Sequence, residues 1–170
     1  MNLMIRKMTV EDIPAVVELD QKSFSLPWPE RSFRFELTDN PASRCWVAEL
    51  DGKVVAMIVV WLIVDEAHVA TVATDPEYRR QGIGRRLLAH ALRHIMRDGA
   101  RRSFLEVRES NLAAQEMYRK FGYEATGRRR RYYRDNDEDA ILMSLDSLDA
   151  ERLLVVEGRS TPDAEEQNER

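Results

Sequence analysis

The chain of 170 residues carries one cysteine, three histidines and seven glycines, and it has no long apolar run. A lone cysteine, Cys45, excludes an intrachain disulfide framework and fits a reducing compartment. It sits in SRCWVAEL, which reads as a strand, so we assign it to the core rather than to an acyl-enzyme nucleophile. His68, His90 and His94 show no metal-ligand pattern. His90 and His94 share a helical face at i, i+4, but no third ligand accompanies them, and we read all three histidines as surface residues. The longest apolar stretch, residues 54–64, has about half the length that a bilayer requires. The opening MNLMIRKMTVEDI lacks the apolar centre of a secretory signal. These absences lead us to expect a cytoplasmic protein with no membrane association. A net charge of −4 argues against a protein that coats nucleic acid nonspecifically.

With 44% hydrophobic and 33% charged residues, the chain reads as one folded domain, residues 1–148, followed by an acidic tail, residues 149–170, expected to be mobile. Along the domain, a strand at residues 3–8 precedes Thr9, a helix cap with Asp12 three residues on. A first helix ends near Phe24, Ser25-Leu26-Pro27-Trp28-Pro29 breaks it, and a second carries Phe33 and Leu37. Asp51-Gly52 joins two β-branched runs, residues 45–50 and 53–64, as a hairpin. Further strands follow at 67–74, 103–107, 123–133 and 140–145, with helices at 84–97 and 112–121. The order β-α-α-β-β-β-α-β-α-β-β predicts an α+β fold: a mixed, mostly antiparallel sheet of about seven strands flanked by about four helices.

Residues 78–88 read YRRQGIGRRLL. No Gly-Lys-Ser/Thr follows the glycines, so this is not a P-loop, and Leu87 occupies the third glycine position of a dinucleotide fingerprint. Two readings stay open: a tight turn, or an anion cradle at a helix N-terminus ringed by Arg79, Arg80, Arg85 and Arg86. Glu106 lies in an apolar strand, Phe104-Leu105-Glu106-Val107. It is either a solvent-facing strand residue or, if burial raises its pKa, a general base. Asn111 and Tyr118 fall on one helix face two turns apart, as a cap and a half-buried phenol or as site residues. Arg128 to Arg131 followed by Tyr132-Tyr133 is either a charged hairpin edge or a surface that binds phosphates and stacks bases.

Arg79-Arg80-Gln81-Gly82-Ile83-Gly84 matches position for position the Gln/Arg-x-x-Gly-x-Gly/Ala motif of the Gcn5-related N-acetyltransferase (GNAT) family, which the sequence resembles over residues 3–146. Leu105-Glu106-Val107-Arg108-Glu109-Ser110-Asn111, Ala113-Ala114, Tyr118, Phe121-Gly122-Tyr123, Tyr132-Tyr133 and Glu138-Asp139-Ala140 resemble the branch that acetylates protein N-termini. Phe24-Ser25-Leu26-Pro27-Trp28 is similar to bacterial members of that branch that act on the N-terminal alanine of ribosomal proteins. The resemblance implies acetyl-coenzyme A (acetyl-CoA) as co-substrate, no metal, and a small-subunit ribosomal protein as acceptor. It assigns Arg79, Arg80, Gln81, Gly82, Ile83, Gly84 and Arg85 to the pyrophosphate. Val72, Ala73, Thr74 and Asn111 go to the rest of the cofactor, Glu106 becomes the proton acceptor, and Tyr118 becomes the acid that protonates the departing thiolate. Leu26, Trp28, Tyr132 and Tyr133 fall beside the acceptor groove. The acceptor amine itself supports one modest base. An α-amine, with pKa about 7.7–8.0, is about a tenth neutral near pH 7, whereas a lysine amine at about 10.4 is neutral in fewer than about one molecule in a thousand. A broader N-terminal or lysine acetyltransferase, a non-catalytic acyl-CoA sensor and an RNA-binding protein are the competing readings. Nucleic acid is the partner the composition favours least, and oligomeric state is left open.

Overall fold

The computed structural model describes residues 2–158. Seven strands form one sheet in the order β1-β2-β3-β4-β5-β7-β6: β1 Leu3–Lys7, β2 Ser43–Leu50, β3 Lys53–Ile63, β4 Glu66–Thr74, β5 Arg102–Arg108, β6 Glu124–Tyr133 and β7 Glu138–Leu145. Every neighbouring pair is antiparallel except β4 and β5. Helices α3 Ile83–Arg97, α4 Leu112–Phe121 and α5 Ala150–Glu157 cover one face, while α1 Ile13–Ser23 and α2 Glu30–Thr38 cover the other. The fold class read from the sequence is the one observed. No helix among the described residues is long and apolar enough to cross a membrane.

Strand β3 shows why the sheet is a two-sided core. Its run VAMIVV is buried throughout. Val55, Ile58 and Val60 join the α3 side, whereas Met57 and Val59 join the α1–α2 side, with Phe33, Val16 and Cys45. Cys45 is therefore a core residue, and burial pushes its thiol up to about 11. On the opposite face, α3 lays Ile83, Leu87, Leu88, Ala91, Leu92 and Ile95 against the sheet, the i, i+4 stripe seen in its sequence. At the first edge, Asp12 accepts two Arg6 hydrogen bonds at 2.7 Å each and the Thr9 N–H at 2.8 Å, which fastens the start of α1 to β1.

Two features of the sheet shape the site. Parallel pairing of β4 with β5 covers Glu66–Val69 against Arg102–Leu105 and stops there, so both strands continue side by side without a shared ladder. The β3–β4 register also shifts, Val60 facing Val69 but Val59 facing Thr71, so that Ala70 is an extra residue in β4.

Two sequence expectations need correction. Residues 149–158 do not continue as a polar tail. Asp149 caps α5 by accepting the N–H groups of Glu151 and Arg152, and α5 buries Leu153 against the α3 side of the core beside Leu148. The rest of the expected tail, residues 159–170, lies outside the described residues. Nor are the helical histidines surface residues. His90 and His94 stack at 3.9 Å beneath Trp46, and burial, followed by the His94 charge, pushes His90 down to about 4. Arg93 and Glu157 pair beside them at 3.1 Å.

Candidate active site

Where β4 and β5 part, the sheet has an opening with backbone on both sides. Val72, Ala73 and Thr74 are laddered to β3 at Ile58, Met57 and Ala56, and their other side faces the opening. A strand turns alternate backbone groups to its two sides, so this edge offers amide and carbonyl groups to a ligand that can pair like a strand.

The glycine turn closes one end of the opening. Gly82 caps α3 in the left-handed region, φ 76°, and Arg80 shares that conformation at φ 64°. A non-glycine residue held there costs about 1–2 kcal/mol, and alternation of this kind builds an anion-binding concavity. The first intrahelical bond runs from the Arg86 N–H to the Gly82 carbonyl, which leaves the N–H groups of Ile83, Gly84 and Arg85 directed out of the helix end. Gly84 is needed for close approach: a Cβ there would meet Thr74 Oγ1 at 3.2 Å. Arg79 donates from Nε to the Thr74 carbonyl at 3.3 Å and ties the turn to the end of β4. Among the described residues, Arg79, Arg80, Arg85 and Arg86 form no ion pair. A concave backbone, a helix N-terminus and four guanidinium groups without ion pairs fit a diphosphate.

The other side of the opening carries the titratable groups. Alternation along β5 sends Leu105 and Val107 into the core and leaves Glu106 at the opposite face. Glu106 is less buried than the apolar strand suggested. Its side chain keeps 30% of its exposure and pairs with Arg129 Nε at 3.0 Å. Tyr132 and Tyr133, in edge-to-face contact at 5.2 Å, belong to the same cluster. Burial first, then the Glu106 charge, keeps the Tyr132 proton on. Burial pushes Tyr133 up to about 12 against the opposing pull of Arg108, whose guanidinium lies 4.0 Å from the ring centre. Tyr118 reaches the cluster from α4. It is 5% exposed, its pKa is raised by burial and by Tyr133, and it packs edge-on against Tyr123 at 5.7 Å. Its hydroxyl makes no hydrogen bond among the described residues, and burial keeps its proton on, the state that a proton donor needs.

Asn111 is the cap of α4: its Oδ1 accepts the Ala114 N–H at 3.1 Å, which leaves its Nδ2 for a ligand. Leu26 is half exposed on the α1–α2 loop. Trp28 lies on the same loop. It packs on Phe33 at 5.3 Å and lines a pocket of about 370 Å³ with Arg31, Ser32, Phe35, Glu36 and Trp61. No hydrogen bond or ring contact takes it to Glu106 or the two tyrosines among the described residues. Trp28 therefore supports the loop, its N–H bonded to buried Asp20 at 2.6 Å.

Three supporting residues escaped the sequence reading. Arg108, two places after Glu106 on the same strand face, grips Asp135 with both terminal nitrogens at 3.0 Å. Asp135 also accepts from Ser25, so the α1–α2 loop and the β6–β7 turn are joined across the cluster. Buried Gln115 donates to the carbonyls of Arg108 and Glu109 at 3.0 and 2.9 Å, locking α4, and with it Tyr118, to the end of β5. Period-two alternation signals Arg108; the Ser25 and Gln115 contacts leave no local signature.

Comparison with known proteins agrees with this geometry. The profile of the acetyltransferase (GNAT) family matches residues 13–123. A Bacillus subtilis protein described provisionally as a ribosomal protein bS18-alanine N-acetyltransferase is 42% identical over 139 residues, 82% of this chain and 92% of that one. The Escherichia coli ribosomal protein bS18-alanine N-acetyltransferase is 35% identical over 152 residues, 83% of this chain and 95% of that one. The crystal structure of the ribosomal-protein-S18-alanine N-acetyltransferase from Escherichia coli superposes with a TM-score of 0.79 at 33% identity, covering 87% of this chain and 96% of that one. Motif, sheet opening and relatives converge, and the chain belongs to the GNAT family of acetyltransferases.

Proposed function

We propose that the protein moves the acetyl group of acetyl-CoA to the α-amine of a protein N-terminus in the cytoplasm, with the N-terminal alanine of a small-subunit ribosomal protein as preferred acceptor. The observation that carries this reading is the carboxylate of Glu106 beside the tyrosine cluster, next to an anion cradle with spare cations. The relatives described as acting on ribosomal protein bS18 support the choice of acceptor.

In this reading the N–H groups at Ile83, Gly84 and Arg85, together with Arg79, Arg80 and the Gln81–Gly82 backbone, hold the diphosphate. The β4 edge at Val72, Ala73 and Thr74 pairs with the pantetheine arm and polarises the acetyl carbonyl, and Asn111 Nδ2 donates to the cofactor. Glu106 takes a proton from the acceptor ammonium, directly or through water. The freed nitrogen forms its bond to the acetyl carbon, the C–S bond breaks, the departing thiolate takes the Tyr118 proton, and the second proton leaving the nitrogen restores the Tyr118 phenol. Tyr132, Tyr133 and Leu26 border the acceptor.

The test is a peptide panel varying the first residue, half with blocked N-termini, incubated with acetyl-CoA and read by mass. Transfer to free N-termini, alanine foremost, is expected. Transfer confined to blocked, lysine-bearing peptides would sink the α-amine reading, and no transfer at all would leave a cofactor-binding protein without this chemistry.

A further inference from the structure

The Glu106 carboxylate already has a cation. Arg129, on edge strand β6, sets its Nε 3.0 Å from Glu106 Oε1 and its guanidinium 5.5 Å from the centre of the Tyr132 ring. The arginine side chain is 57% exposed, so the pair is held weakly enough to exchange. Its neighbours are placed differently. Arg128 is engaged by Glu109 and Asp139, each at 2.8 Å, and Arg131 bonds through its backbone N–H to Asp139. Among the described residues, Arg129 has no second carboxylate within ion-pair distance, so Glu106 is its sole anionic partner. The β6–β7 register breaks between Arg129 and Tyr133, with Arg131 at φ 53°, so Arg129 is the last laddered residue before an irregular stretch.

Resting on the α-amine reading above, we propose that Arg129 plugs the acceptor position: it places on Glu106 the same charge that the acceptor ammonium brings, and productive binding expels it. Two consequences follow from charge alone. An acceptor must offer a cation to displace a cation, so the site selects ammonium groups over neutral nucleophiles. Until that exchange, Glu106 is not free to take a proton from water. Hydrolysis, in which water adds to the acetyl carbonyl, one of its protons passes to Glu106, the C–S bond breaks, the thiolate takes the Tyr118 proton and the remaining proton of the nascent acetic acid returns to Tyr118, giving acetate and free coenzyme A, is held back. Arg129 is thus a positioning residue that acts through Glu106.

Arg129→Ala and Arg129→Lys in the full chain test this. In Arg129→Ala, the KM for the acceptor peptide should fall about two- to five-fold, the range an exposed ion pair supports, while kcat stays nearly constant. Release of coenzyme A thiol without peptide should rise by a similar factor. Arg129→Lys should behave as wild type. Independently of turnover, the Arg129 Nε–H resonance of the coenzyme A complex should shift on titration with a free-amine peptide and stay in place with the acetylated one. A KM unchanged or raised in Arg129→Ala, with kcat lowered and restored by Arg129→Lys, would overturn the plug and make Arg129 a structural brace for Glu106 and Tyr132. Failure of the wild type to acetylate any peptide is a different outcome, which removes the α-amine reading itself.

Discussion

Four arginines surround the glycine turn and four run consecutively through β6, yet the two groups differ in how much of their charge is paired. Arg79, Arg80, Arg85 and Arg86 have no ion pair among the described residues. In β6, by contrast, Arg128 is held between Glu109 and Asp139, Arg129 is on Glu106, and Asp139 also takes the Arg131 N–H. The first group keeps positive charge where the backbone is shaped for an anion. In the second, two of the four guanidinium groups, those of Arg128 and Arg129, are taken by carboxylates on or next to β5 and β7, so half of the run's charge is already paired within the sheet. A run of like charge is informative only once its neighbours across the sheet are known.

The two regions can be separated experimentally. Glu106, the proposed base, is held by Arg129 of β6, and Glu106→Gln should lower kcat by about 10²- to 10⁴-fold with cofactor binding within about two-fold of wild type. Steady-state rates beside calorimetric titration with coenzyme A check this, and unchanged kcat would remove Glu106 as the base. Gly84→Val forces a branched side chain toward Thr74 Oγ1, already 3.2 Å from a Cβ, and should weaken coenzyme A binding about ten- to hundredfold, the scale of an overpacked contact. A loss of less than about three-fold would mean that the arginines hold the anion without the backbone. Single alanine substitutions at Arg80 and Arg85 should each raise the coenzyme A Kd about five-fold at low salt, converging with wild type as ionic strength rises. Arg128→Ala should leave that Kd alone at every salt concentration; equal sensitivity of Arg128 and Arg80 would dissolve the contrast.

A third setting for cations, burial, gives the mildest effect. His90 is pushed from 6.5 to about 4, first by burial and then by the His94 charge, and His94 moves in the same direction. Above pH 6.5 neither the folded nor the unfolded state protonates His90, whereas between 6.5 and about 4 only the unfolded state does. Stability should therefore be intact above pH 6.5 and decline as pH falls through that window. Urea midpoints at pH 7 and pH 5 measure the slope, which His90→Asn should flatten.

Much of this was legible in the chain. The Asp51-Gly52 hairpin, the α3 stripe and Arg-x-x-Gly-x-Gly between strand and helix are local patterns, and all three stand where expected. What was hidden depends on distant partners. The acidic composition after Asp149 concealed that Leu148, Leu153 and Val156 supply an apolar edge for α3, because composition averages over a spacing that packing uses. His90 and His94 looked like solvent residues because their cover, Trp46, comes from a strand more than forty positions earlier. The packing of Trp28 was hidden as well: Phe33, five positions on across the helix break, takes its ring. The place of Glu106 on an apolar strand was legible, but its cation was not, since the β5–β7–β6 order that brings Arg129 to it is a property of topology.

The extra residue in β4 has a consequence for how this fold can vary. Before Ala70, odd-numbered positions such as Ala67 and Val69 face the α3 side; after it the even-numbered Val72 does, and Ala73 turns to the other face. One inserted residue thus acts as a phase shift in the strand, and everything downstream reads in a different frame from everything upstream. A deletion at Ala70 would leave the composition of β4 nearly untouched while exchanging the faces of Val72, Ala73 and Thr74. In β4, unlike in its loops, residue count is therefore less free to drift than residue identity.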